Sequence, residues 1–138
     1  MQRVYRVIPT SDWPATIQAG RVPMCGSDQR DGFVHLATKE TVLKTANLYF
    51  SADEDPIALE IDAAALGDAL VWDTPPGAHG PRLLSEGIPH AAIRACWLLQ
   101  CTADGRFELG VRCMPDADSM MLQLSQAHLA GPTPPSKA

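Results

Sequence analysis

The stretch Arg30-Asp31-Gly32-Phe33-Val34-His35-Leu36-Ala37-Thr38 constrains the fold more than any other part of the chain. It changes character four times in nine residues. A charged pair and Gly32 make a turn. Phe33, Val34 and Leu36 then flank His35 in a short strand, and Thr38 can cap a following helix. An imidazole at the end of a short apolar strand, beside a glycine that lets the backbone come close to a ligand, is a common way to build a site. A core histidine bonded to backbone is the alternative.

The rest of the chain is punctuated in the same way. Arg3 to Ile8 sets Val4, Arg6 and Ile8 against Tyr5 and Val7, a mostly buried strand that Pro9 ends. Thr10 or Ser11 can cap a short helix with Trp13 and Ile17 inward and Gly20 as its stop. Residues 21–30 carry Pro23, Gly26, Ser27 and Asp28 and read as a loop. The clearest helix covers 39–50, with Val42, Ala46, Tyr49 and Phe50 on one face. A strand over 57–61 follows, then a helical turn from Asp62 to Leu66 closed by Gly67, then a short strand from Ala69 to Asp73. Thr74 to Pro89 reads as a long irregular loop. Ala91 to Cys101 and Phe107 to Cys113 read as strands. This order predicts a single compact α+β domain over residues 1–115 with a small twisted or split sheet. A C-terminal helix over 116–130 and a disordered, proline-rich tail over 131–138 complete the expectation.

Composition removes several function classes. A net charge of -5, with scattered arginines and lysines, argues against strong nucleic-acid binding. No apolar run reaches membrane-spanning length, and the amino terminus enters a strand pattern without a signal-peptide apolar region, so the expected compartment is the cytoplasm. Cys25, Cys96, Cys101 and Cys113 form no CxxC or zinc-finger spacing and read most simply as small core residues.

Several of these residues together resemble the DUF952 family of small bacterial and plant proteins. They are Val4-Tyr5-Arg6-Val7, Trp13, Gly20, Asp28, Asp31-Gly32-Phe33-Val34-His35-Leu36, Thr45, Tyr49-Phe50, Val71-Trp72-Asp73 and Pro89-His90. The likeness spans roughly residues 2–100, and Asp-Gly-Phe-Val-His-Leu is its specific core. The resemblance implies a remote branch of the ADP-ribosyltransferase fold, near the RNA 2'-phosphotransferases and poly-ADP-ribose polymerases. Tyr5-Arg6-Val7-Ile8 would take the place of those relatives' Tyr-His-Gly-Thr strand. Val34-His35-Leu36-Ala37 would take that of their Val-His-Leu-Ser strand. Three departures stand out: Arg6 where an NAD-binding relative has histidine, Asp73 in place of a longer Glu, and no aromatic after His90.

What the resemblance implies for chemistry is a nucleotide-like small-molecule ligand, with NAD as a candidate substrate and ADP-ribosyl transfer or glycohydrolase-type chemistry. His35 and Asp73 are then the expected catalytic residues. Arg6, Trp13, Arg30, Asp31, Phe33 and His90 are the expected ligand-binding residues. Arginine suits phosphate through its fork, and a carboxylate suits a ribose hydroxyl or a developing cation. Arg6 facing solvent from an edge strand, and Asp73 capping the turn at Thr74-Pro75, are the structural alternatives. Two other function classes compete. A metal-dependent module using His35, His90, Asp31 and His79 lacks any HxH or HExxH spacing. A non-catalytic ligand-binding or protein-interaction domain needs only the pocket.

Overall fold

The computed structural model describes residues 2–72 and 80–116. Asp73, His79, residues 117–130 of the expected C-terminal helix and the tail over 131–138 lie outside the described residues. Strand β1 (Arg3–Pro9) leads through a 3-10 turn into α1 (Trp13–Ala19), then β2 (Arg21–Pro23) and α2 (Gly26–Asp31). Next come β3 (Val34–His35), α3 (Val42–Tyr49), β4 (Pro56–Asp62), α4 (Ala63–Leu66) and β5 (Leu70–Val71). The short strands β6 (Arg82–Leu83) and β7 (Gly87–Pro89) precede the long hairpin β8 (Ile93–Cys101) and β9 (Phe107–Cys113).

The expected α+β class with a split sheet holds. A four-stranded antiparallel sheet runs β1-β4-β8-β9, beside a two-stranded sheet β2-β7 and a three-stranded sheet β3-β6-β5. Every residue of β4 is buried, because this central strand is covered on both faces. One face packs Val4, Ile8, Leu59 and Ile61 against Trp13, Val34 and Leu83. The other packs Tyr5, Val7 and Ala58 against Val42 and Ala46 of α3. Arg6 stands on β1 between Val4 and Ile8, so strand alternation aims its charge toward the first of these cores. That placement demands a buried counter-charge.

Two backbone bonds join the segment just after β3 to β1. Tyr5 N–H donates to the Ala37 carbonyl, and Ala37 N–H donates to the Tyr5 carbonyl, each at 2.7 Å. They lay the chain just beyond His35 along the free edge of β1. No helix among the described residues is long and apolar enough to cross a membrane.

Several local expectations are corrected. Residues 21–30 are not a loop: they contain β2 and α2. The residues of α2, Gly-Ser-Asp-Gln-Arg-Asp, bury only Asp28, so no apolar period marks the helix. Arg82–Leu83 and Gly87–Pro89 are strands within the expected 74–89 loop, too short to carry an alternation. A Cβ at Gly87 would meet the Val22 carbonyl at 2.4 Å, which is why β2 and β7 can lie together only with glycine there. Helix α3 starts at Val42, not at residue 39, since the Thr38 carbonyl first accepts from Thr41 N–H in a turn. Tyr49 faces outward, 73% exposed, and Leu43 with Phe50 packs the partly buried side instead. Thr10 and Ser11 lie in the 3-10 turn and cap nothing, whereas Asp62 caps α4 by accepting from Ala64 N–H. Cys96 and Cys113 are buried as expected, but Cys25 and Cys101 are exposed.

Candidate functional site

The site begins with the pairing of Arg6 and Asp28. Asp28, with no exposed surface, is the third residue of α2, and its carboxylate accepts from Cys25 N–H at 3.0 Å, as in a capping box. Its two oxygens also take both terminal nitrogens of Arg6, at 3.2 and 2.7 Å. His35 supplies the last two donors, its backbone N–H at 3.0 Å and Nδ1 at 2.7 Å. Arg6 Nη1 donates in addition to the His35 carbonyl at 2.7 Å. One carboxylate thereby joins β1, the start of α2 and β3.

Burial alone would push the Asp28 carboxyl up. The hydrogen bonds from Arg6 and from the ring and backbone of His35 more than offset this and hold it well below the usual carboxylate range. It is therefore an ionised acceptor, and Nδ1 of His35 is the donor in their bond. This fixes the ring and points Nε2 outward, where it meets Asp31 Oδ2 at 2.8 Å. The same Asp31 carboxylate is gripped by Arg30, through Nε at 3.0 Å and Nη2 at 3.3 Å. The Arg30 bonds, with help from His35, lower the Asp31 carboxyl. Gly32 ends α2 at φ +83°, a left-handed conformation that returns the chain toward Asp28. Its N–H and that of Phe33 both bond the Asp28 carbonyl.

An aromatic wall completes the group. The Phe33 ring lies 4.7 Å from the His35 ring, centroid to centroid, and the Arg82 guanidinium stands 5.4 Å from the Phe33 centroid. Arg82 is the register partner of His35 across β3 and β6. The His35 side chain remains 38% exposed, so the inner nitrogen is sealed while the outer end of the ring is accessible.

Of the residues singled out from sequence, Arg6, Arg30, Asp31, Phe33 and His35 come together. Arg6 has both terminal nitrogens committed to Asp28 and the His35 carbonyl. His90 and Trp13 form a separate pair, with ring centroids 5.8 Å apart. His90 Nε2 bonds the Pro115 carbonyl, and its N–H bonds the Gly20 carbonyl. Among the described residues the two histidines share no contact, so the expectation of one pocket facing both finds no support there. Asp73 lies outside the described residues. Asp28 is the member that sequence reasoning placed in a loop and did not assign to the site. The signal for it was Arg6, a cation on the core face of a strand. Among the described residues no group of three His, Cys, Asp or Glu is arranged to hold a metal ion. A groove of about 700 Å³ lies elsewhere, between α3 and the β8–β9 hairpin, lined by Leu43, Lys44, Leu48, Arg106, Phe107 and Glu108.

These features define a small α+β protein in which a partly exposed imidazole, His35, is braced by a buried carboxylate. The chain belongs to the DUF952 family: the profile described as "Protein of unknown function (DUF952)" matches residues 7–94. It is similar to protein CC0527 from Caulobacter crescentus. The crystal structure of that protein superposes with a TM-score of 0.68 at 25% identity, covering 78% of this chain and 94% of the other. Its solution NMR structure gives a TM-score of 0.64 at 28% identity, covering 77% and 91%. No curated protein matches.

Proposed function

We propose that the His35 face binds a small polar ligand and that His35 meets it through Nε2, as a hydrogen-bonding and proton-transferring group. The observation that carries this reading is the bracing of the ring from its buried side. Asp28, sealed and ionised, holds Nδ1, while Nε2 reaches the exposed side beside Phe33. A carboxylate behind an imidazole fixes its tautomer and orientation, the arrangement that acid–base catalysis requires.

For the ligand itself we propose a nucleotide such as NAD, with transfer or hydrolysis at an anomeric carbon. The support is the resemblance of Val34-His35-Leu36 and the Tyr5 strand to ADP-ribosyltransferase-type strands. In this reading Arg6 acts through Asp28 and does not touch the ligand. Asp73 supplies the carboxylate toward the cationic centre. Calorimetric titration with NAD and ADP-ribose, with nicotinamide release followed in parallel, tests it. His35→Ala weakens binding by about 1–3 kcal/mol, the usual loss when a polar partner is removed. Asp73→Asn spares binding and cuts turnover. No heat with any nucleotide overturns the nucleotide reading.

A second reading, a non-catalytic binding module, draws on a different observation: Nε2 is already bonded to Asp31, and Arg6 is filled by Asp28. Nucleotide binding without nicotinamide release decides for it.

A further inference from the structure

The His35 reading underlies this inference, which concerns the chemistry of what binds there. From β1 outward, the charged groups form a line that alternates in sign. Arg6 bonds Asp28, Asp28 bonds His35, His35 bonds Asp31, and Asp31 bonds Arg30. Both carboxylates are acceptors, so both ring bonds form together only when each ring nitrogen carries a proton. In that doubly protonated state the outer end of the line presents three N–H donors, His35 Nε2 with Nε and Nη2 of Arg30, converging on one planar anion.

The two carboxylates differ in how firmly they are held. Asp28 has no exposed surface, whereas the Asp31 side chain is 31% exposed and that of Arg30 73%. Asp31 is also the last residue of α2, directly before the left-handed Gly32. What it offers these donors, a negative charge and two oxygens in a plane, any carboxylate or phosphate offers equally. We propose that Asp31 occupies the place of the ligand's oxyanion, and that a carboxylate- or phosphate-bearing ligand binds by displacing it from His35 Nε2 and Arg30. The Phe33 ring, tilted by 52° against the His35 ring, then forms the wall for the part of the ligand that carries the anion.

The test follows the His35 ring signals by nitrogen-resolved NMR during titration with inorganic phosphate, acetate and ADP. Asp31→Ala removes the internal competitor and tightens anion binding about tenfold, the factor expected if Asp31 holds Nε2 about nine-tenths of the time. Arg30→Ala weakens it. Asp104→Ala, an equal charge removed from the β8–β9 hairpin, leaves it unchanged. Backbone amide spectra confirm that each variant is folded. Preference for phosphate and ADP identifies a phosphate ligand, and preference for acetate a carboxylate. Anion binding in folded Asp31→Ala that is no tighter than in wild type overturns the proposal, as does equal tightening in Asp104→Ala. The nucleotide reading fails separately. Tighter phosphate binding without NAD binding keeps the displaced oxyanion and removes NAD. NAD binding that is lost in His35→Ala but indifferent to Asp31 does the reverse.

Discussion

Replacing Asp28 by alanine removes five donors' shared acceptor at once: two from Arg6, two from His35 and the Cys25 N–H. The largest consequence is electrostatic. The Arg6 side chain is only 10% exposed, and without Asp28 its charge stays in the core with the His35 carbonyl as its remaining partner. Removing one partner of a buried ion pair costs about 3–5 kcal/mol, because the other charge is left uncompensated. That is a large share of the roughly 5–15 kcal/mol by which a domain of this size is stable. Urea unfolding followed by far-ultraviolet circular dichroism measures it, as a fall in midpoint at constant slope. The double variant Arg6→Met, Asp28→Ala removes both charges and recovers part of the loss, giving with the two single variants a coupling energy above about 2 kcal/mol. A cost for Asp28→Ala below about 1 kcal/mol, or simple additivity in the double variant, would refute the claim that this pair braces the site.

Three further outcomes follow from the same geometry. Asp28 is depressed in the fold, so its contribution to stability is fully present above the ordinary carboxylate range and is lost as pH falls through its lower folded value. Acid unfolding curves should therefore flatten below about pH 4 in folded Asp28→Asn, while Glu60, also depressed, keeps a residual slope. Gly32→Ala costs about 1–2 kcal/mol in the same unfolding assay, since the added Cβ meets nothing within 4 Å and only the left-handed φ is penalised. In thiol labelling of the native protein, Cys25 and Cys101 react and Cys96 and Cys113 do not; burial pushes the last two thiols up, and fast labelling of all four would contradict the packing around β8 and β9.

What could be read from sequence divides along a physical line. β1, β4, β8 and β9 announce themselves through apolar alternation or apolar runs, and α1 through Trp13 and the left-handed Gly20. These are the elements whose stability comes from hydrophobic burial, the term that sequence pattern records best. The small strands also bury Val22, Val34, Leu83 and Ile88 in the core, but they are too short to show it as a pattern, and α2 is held otherwise. β3, β5 and β6 are two residues long, and α2 buries no apolar side chain at all. α2 is positioned by Asp28, and a single buried carboxylate has no periodicity. The same division runs through the site. His35, Asp31 and Phe33 were visible because they interrupt or flank an apolar run. Asp28 stands among glycine and serine, and although it is one of the residues that carry the family resemblance, only the question of what neutralises Arg6 assigns it to the site.

Arg6 deserves that question because strand geometry leaves it no other orientation. With Val4 and Ile8 in the core on either side, a guanidinium at this position must be paired, and the pairing partner then has its own place fixed. The fork of Arg6 spans both Asp28 oxygens and still reaches the His35 carbonyl, which a lysine's single nitrogen could not do. Arg6→Lys is thus the sharpest separation of charge from geometry. It keeps the net charge but loses one of the two bonds to Asp28, freeing that carboxylate to shift relative to His35. The expected result is a stability loss of about 1–3 kcal/mol, smaller than that of Asp28→Ala because the charge stays paired. It should come with displaced His35 ring signals. A folded Arg6→Lys protein whose His35 signals coincide with wild type would show that the ring is oriented by Asp31 and the tilted Phe33 contact, and that the buried pair serves the fold alone.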